Sequence, residues 1–209
     1  MKHTRKHLLC ASALLAAFAL WTIAVSTVDV QTIGPLDSAV GFATLNRFVH
    51  EFTGVHVSLY SLTDWLSLIP VGLCLAFGAL GLWQWIRRRH ILRVDRSILA
   101  LGIFYLLVMA AYLLFESIVI NRRPVLIDGI LEVSYPSSTT VLVMCVMLTA
   151  RMQLKARTKS ALLPRIIAAF AIFMVLGRVF SGVHWITDII GGALLSAGLI
   201  HLYRAMSGE

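Results

Sequence analysis

The sequence predicts an all-α integral membrane bundle of six transmembrane helices, with an interfacial amphipathic helix between the first two. Three observations predict it. Of 209 residues, 59% are hydrophobic and 13% charged, with a mean hydropathy of +0.86, whereas soluble domains carry about a quarter charged residues. The charges sit in short islands between apolar stretches of about 20 residues, the length needed to cross a bilayer. When the spans are alternated from a cytoplasmic N-terminus, fourteen of the eighteen Lys and Arg fall on the cytoplasmic side, as the positive-inside rule demands. The length suits one domain over 1–209 and leaves no room for a second.

The first span runs from about Leu8 to Val28, behind a basic leader containing Lys2, Arg5 and Lys6. A cleaved signal peptide begins in the same way, but its apolar core is shorter, so a retained helix is expected. Spans two to six are expected at about Trp65–Trp85, Ile98–Ile120, Ser137–Leu154, Leu162–Phe180 and Trp185–Tyr203. Arg151, Arg165 and Arg178 trim the apolar cores of spans four and five, and arginines at helix ends can snorkel. Between spans one and two, Leu45, Phe48, Val49 and Phe52 recur at helical spacing opposite Asn46, Arg47, His50 and Glu51. That pattern predicts an amphipathic helix in the interface, roofing the bundle, with Ser38 as its N-cap.

Cys10, Cys74 and Cys145 all lie in apolar stretches, and their odd number and spacing fit neither a disulfide framework nor a metal motif. The net charge of +8 needs no nucleic-acid partner, because topology accounts for the excess. The expected partner is the lipid bilayer itself. Gly191-Gly192 in the last span is expected to allow close helix packing.

The four cations outside the rule are Arg47, Arg122, Arg123 and Arg178. Arg122-Arg123-Pro124 follows span three, Tyr135-Pro136-Ser137-Ser138-Thr139 opens span four, and Arg178, His184 and Asp188 bridge spans five and six. All three segments fall on the non-cytoplasmic side. Arginines present planar, permanently charged forks to phosphate oxygens, and a Ser-Ser pair at a helix start adds hydroxyls and unpaired backbone N–H groups. His184 and Asp188, at i and i+4, share a helix face, so the carboxylate can hold one imidazole nitrogen as N–H and free the other as a nucleophile. Each of these residues alone would suit a polar cap on the bundle; their convergence points to a phosphate site.

With those residues in place, the sequence resembles the type 2 phosphatidic acid phosphatase superfamily, whose signature is Lys-x6-Arg-Pro, then Pro-Ser-Gly-His, then Ser-Arg-x5-His-x3-Asp. Arg178-x5-His184-x3-Asp188 matches the third motif, with Gly177 in place of the usual Ser; Arg123-Pro124 and Pro136-Ser137 match parts of the first two. The resemblance implies a membrane phosphatase with a phosphohistidine intermediate on His184, oriented by Asp188. Arg123, Arg178 and Ser137 would be phosphate ligands, with Arg122, Ser138 and Thr139 in supporting places. It implies no cofactor and no metal, and a phospholipid or isoprenoid phosphate as substrate.

Two positions depart from the signature. Glu116 stands where the family has Lys; on a helix continuing through span three it would lie two turns from Arg123 on one face and pair with an arginine, with Arg122 supplying the missing charge. Thr139 stands where the family has the histidine that protonates the leaving alkoxide. Such an acid is worth roughly a hundred- to ten-thousandfold in rate. Its absence favours a lipid diphosphate, such as a polyprenyl diphosphate of the undecaprenyl type, whose leaving group is a stable phosphate monoester. Asp128 or Glu132 are candidate substitute acids. The same two departures fit an alternative, a member that binds or moves lipid phosphates without turnover.

Overall fold

The computed structural model describes residues 2–208, so Met1 and Glu209, the ends of the domain predicted over 1–209, lie outside it. Eight α-helices dominate: α1 (Lys2–Thr27), α2 (Ala43–Thr53), α3 (Val57–Leu66), α4 (Leu68–Arg88), α5 (Arg96–Ser117), α6 (Ser138–Arg157), α7 (Leu162–Ser181) and α8 (Ile186–Ser207). Among the described residues six stretches are long and apolar enough to cross a membrane, with α3 and α4 counting together as Val57–Arg88. The six-span all-α membrane bundle expected from the sequence is the observed fold.

The helices α6 and α8 are the most enclosed, and the α3–α4 stretch is the most peripheral. The main core joins α1, α5, α6 and α8 through Phe18, Leu101, Phe104, Val141, Leu199 and Tyr203, with Tyr135 from the loop before α6. A smaller cluster of Val143, Met147, Ile167, Ala171 and Met174 joins α6 to α7. The first helix is built into this core: Phe18 and Val25 are buried, and Thr22 Oγ1 lies 2.7 Å from the Tyr135 hydroxyl. Large exposed side chains such as Leu75, Leu82, Leu106 and Ile172 face outward, where lipid rather than water is the solvent.

The second span is longer than expected because α3 precedes it. The two helices divide at Ser67, and Pro70 explains the division: it has no N–H to give the Leu66 carbonyl, and its ring crowds that carbonyl. The third span is shorter than expected, since α5 ends at Ser117 rather than near Ile120. Ile118, Val119 and Ile120 are apolar but β-branched, and such side chains fit extended backbone better than a helix end. Glu116 and Arg123 therefore do not share a helical face, and Glu116 is solvent- or lipid-exposed.

Between α1 and α2 a two-residue ribbon pairs β1 (Gln31–Thr32) with β2 (Ala39–Val40) around a 3-10 turn at Pro35–Asp37. The amphipathic helix α2 forms where expected, with Leu45, Phe48 and Phe52 exposed and Asn46 buried. Its large apolar side chains thus turn to the surroundings, and of the polar residues Asn46 alone is fully buried in the bundle, His50 being half-buried and Arg47 and Glu51 exposed. Ser38 is not its cap; Ser38 ends the 3-10 turn, and the Asp29 carboxylate accepts from the Thr44 N–H at 2.7 Å in the capping place.

Gly191 marks the tightest approach in the last helix, where an added Cβ would stand 2.6 Å from the Tyr135 ring. Gly191→Ala is expected to lower the thermal unfolding temperature of the detergent-solubilised protein, at a cost of about 1–3 kcal/mol from overpacking. An unchanged unfolding temperature would show that the Tyr135 ring gives way.

Candidate functional site

The loop between α5 and α6 folds back on itself as a short hairpin. Ser134 N donates to Asn121 O at 2.9 Å, Arg123 N to Glu132 O at 3.1 Å, and Ile127 and Ile130 exchange both backbone bonds. At the tip Asp128 and Gly129 both have positive φ, 48° and 78°, the conformation an Asp-Gly turn supplies most readily. This ladder sets Arg123, Glu132 and Ser134 against the ends of α7 and α8.

His184 lies between α7 and α8 and is 5% exposed. Its Nδ1 is 2.9 Å from Ser134 Oγ, and that hydroxyl donates to Asp188 Oδ2 at 2.6 Å. The direct His184–Asp188 pair expected from the spacing is therefore replaced by a relay through Ser134. Because Ser134 spends its one proton on the carboxylate, Nδ1 must be the protonated imidazole nitrogen, donating to Ser134. Nε2 is then the basic nitrogen, and it is buried with no hydrogen-bond partner. Asp188 is fully buried and also accepts from Asn121 Nδ2 at 3.0 Å and from the Trp185 N–H at 3.1 Å. The imidazole is held well below its ordinary pKa, first by burial and then by the charges of Arg123 and Arg178, so it is neutral at pH 7.

Arg178, near the end of α7, is 1% exposed. Its Nη2 donates to Asp64 Oδ1 of α3 at 3.0 Å and to Thr139 Oγ1 of α6 at 2.8 Å. Arg123 is ion-paired with Glu132 at 2.9 Å. Both guanidiniums lie over the ring of Tyr60, at 5.0 Å for Arg178 and 5.7 Å for Arg123. Arg123 Nη1 and Arg178 Nε and Nη1 are buried and have no hydrogen-bond partner. Three guanidinium nitrogens and a basic imidazole nitrogen thus gather without protein partners, a set suited to an anion with several oxygens.

The remaining expected site residues divide. Ser138 and Thr139 open α6 at the site. Ser137 is fully buried as the α6 N-cap, and its hydroxyl accepts from the Thr140 hydroxyl at 3.0 Å and the Thr140 N–H at 3.4 Å. Arg122 does not join the other arginines: it donates to the Leu131 carbonyl at 3.0 Å within the hairpin. Glu132 sits on Arg123, and Asp128 is in the exposed turn. Sequence reasoning missed Ser134, Asn121, Tyr60 and Asp64. The Asp128-Gly129 dipeptide between apolar runs could have revealed the hairpin that carries the first two; Tyr60 and Asp64 have no local signature.

Beside these residues an apolar cavity of about 310 Å³ runs between α4, α5 and α6, lined by Val71, Cys74, Val108, Tyr112, Leu142 and Val146, with Ser134, Ser138, Thr139 and Glu116 also on its wall. Cys74 and Tyr105 also line a second apolar groove between α4 and α5, which continues to Trp85 and Ile91.

A family model described as the PAP2 superfamily matches residues 114–209, a range that holds Arg123, Ser134, Thr139, Arg178, His184 and Asp188 and omits Asp64. No curated protein matches the sequence. Among solved structures the chain is similar to the first transmembrane PAP2 type phosphatidylglycerolphosphate phosphatase from Bacillus subtilis, with a TM-score of 0.59 over 93% of this chain and 94% of that one. The two are 18% identical, so the likeness is one of fold.

The buried imidazole yields a direct test. In histidine-labelled protein, the His184 ring is expected to stay neutral as the pH falls through 6.5 and to gain its proton only well below it, as read by nitrogen NMR. Arg123→Gln is expected to move that titration upward, because a repelling charge is removed. A wild-type titration at or above 6.5 would contradict the burial and charge argument.

Proposed function

We propose that this chain is an integral membrane lipid phosphatase of the PAP2 superfamily that works through a phosphohistidine on His184. The observation that carries the reading is the set of unpartnered buried nitrogens: His184 Nε2 beside the free N–H groups of Arg123 and Arg178. A phosphoryl group supplies the oxygens those donors lack and a phosphorus for Nε2 to attack.

In this reading Nε2 adds to phosphorus while the ester or anhydride oxygen departs. The ring becomes positive, and the Nδ1–Ser134–Asp188 relay stabilises that charge and fixes the tautomer. Arg123 and Arg178 meet the charge that spreads over the equatorial oxygens. The first N–H groups of α6, at Ser138 and Thr139, have no partner within the helix and add to the cradle, while Ser137 holds that helix start in place. Water then cleaves the N–P bond and releases phosphate.

The substrate is a lipid because the phosphoryl site adjoins an apolar cavity that continues along α4 and α5, where a tail of considerable length fits. Thr139 offers no acidic proton, so a polyprenyl-type diphosphate, with its better leaving group, is the favoured class. The site lies in this reading on the non-cytoplasmic face of a plasma or inner membrane, with both termini cytoplasmic, which the distribution of Lys and Arg supports.

The test is phosphate release by detergent-purified protein from a polyprenyl diphosphate and from phosphatidic acid. Release is expected from both, faster from the diphosphate, and abolished by His184→Ala. Ser134→Ala should lower the rate about ten- to hundredfold, the worth of a hydrogen bond to a charged group. Binding of both lipids without release would instead assign the chain to binding or moving lipid phosphates, and equal rates would remove the diphosphate preference.

A further inference from the structure

We infer that Asp64 of α3 is the proton donor to the leaving oxygen, a role that rests on the phosphatase reading above and extends the reaction to lipid phosphate monoesters. An alkoxide leaves slowly unless a proton meets it, and the groups around the phosphoryl site narrow the choice of donor. His184 is committed through both ring nitrogens. Asp188 is fully buried and accepts three hydrogen bonds. Glu116 lines the cavity wall without contacting either arginine. That leaves the two carboxylates seated on the arginines, Asp64 on Arg178 and Glu132 on Arg123.

Position favours Asp64. The leaving oxygen carries the tail, and the tail's cavity meets the site at Ser134, Ser138 and Thr139. Asp64 and Thr139 bind the same nitrogen, Arg178 Nη2, at 3.0 and 2.8 Å. The Asp64 carboxyl therefore stands at the side of the site from which the leaving group departs. Glu132 sits instead on the hairpin, which holds its backbone to Arg123.

The chemistry of substrate binding then primes the donor. The Asp64 side chain is 58% exposed, so it exchanges protons with solvent, while its partner Arg178 is buried. A phosphoryl group arriving on Arg178 takes over the cation and brings negative charge beside the carboxylate. As Nε2 forms its bond to phosphorus and the P–O bond breaks, the Asp64 proton passes to the departing oxygen, giving a neutral alcohol and a carboxylate. In the second half, water adds to phosphorus as the N–P bond breaks and its protons leave with the released phosphate, while the exposed Asp64 carboxylate regains its own proton from solvent.

The α3 helix is held where this requires. His56 N donates to Ser181 O at 2.9 Å, and Gly177 lets Thr63 lie where a Cβ would come within 2.7 Å of its methyl group. The serine usual at that position in the superfamily would push α3, and Asp64 with it, away from Arg178.

Leaving-group dependence tests the assignment on the full-length, detergent-purified protein. Phosphatidic acid has an alkoxide leaving group that needs a proton; a nitrophenyl phosphate bearing an alkyl chain leaves unaided. Asp64→Asn is expected to slow phosphatidic acid turnover about a hundred- to ten-thousandfold, the usual worth of a general acid, and to leave nitrophenyl ester turnover within about tenfold of wild type. Asp64→Glu, which keeps the acid, should recover part of the loss on phosphatidic acid. Equal losses on both esters would show that Asp64 only positions Arg178, and no loss on either would show that it does nothing; each result overturns the inference while leaving the phosphatase intact. Wild-type protein that releases phosphate from a polyprenyl diphosphate but from neither ester would overturn the inference alone, and release from none of the three would overturn the phosphatase reading with it.

Discussion

Arg178 keeps a full charge at 1% exposure in a helix that crosses the membrane, and much of the surrounding structure answers to that burial. An unpaired interior ion costs several kcal/mol, so neighbouring elements must supply partners. Two do so: α3 gives the Asp64 carboxylate and the Tyr60 ring, and α6 gives the Thr139 hydroxyl, which together hold Arg178 against the like charge of Arg123 near the same ring. Those partners satisfy one end of the guanidinium and leave Nε and Nη1 free. The packing of α3 on α7 is therefore part of the electrostatics of the site. A small residue at position 177 is the steric condition for it.

Asp188 organises the other half of the same end of the bundle. Its carboxylate gathers Asn121, Ser134 and the Trp185 N–H, while the adjacent Thr187 accepts from Asn46 of α2 at 2.9 Å. Helix α2 is thus fastened by a polar side chain that points inward, although its composition suggests a helix held by its apolar face. In a bilayer this reversal is sound. The apolar residues lose nothing by meeting lipid, and buried polar groups gain most from being paired.

Much of this was legible in the sequence. The six spans follow from length and hydropathy, which membranes enforce with few exceptions. The arginines and His184 stood out because they broke the charge asymmetry or shared a motif spacing. What escaped reading did so for physical reasons. Ile118–Ile120 continues an apolar run, yet the backbone there has left the helix, so the face shared by Glu116 and Arg123 does not exist. Ser134 is an ordinary loop serine until a hairpin places it between an imidazole and a carboxylate. Asp64 meets Arg178 across 114 positions of chain, and no local pattern announces a pair whose geometry depends on the packing of α3 against α7.

For the proposed lipid phosphatase, the division of the second span at Ser67 has a consequence for how turnover would be governed. It lets α3 stay against α7 while α4 carries one wall of the apolar grooves at the periphery of the bundle. A lipid substrate with its tail between α4 and α5 would reach the arginines sideways from the surrounding leaflet, without passing through water. Its encounter with the protein is then a two-dimensional event. The concentration that matters is the mole fraction in the plane of the bilayer, so inert lipid would dilute the substrate and added buffer would not.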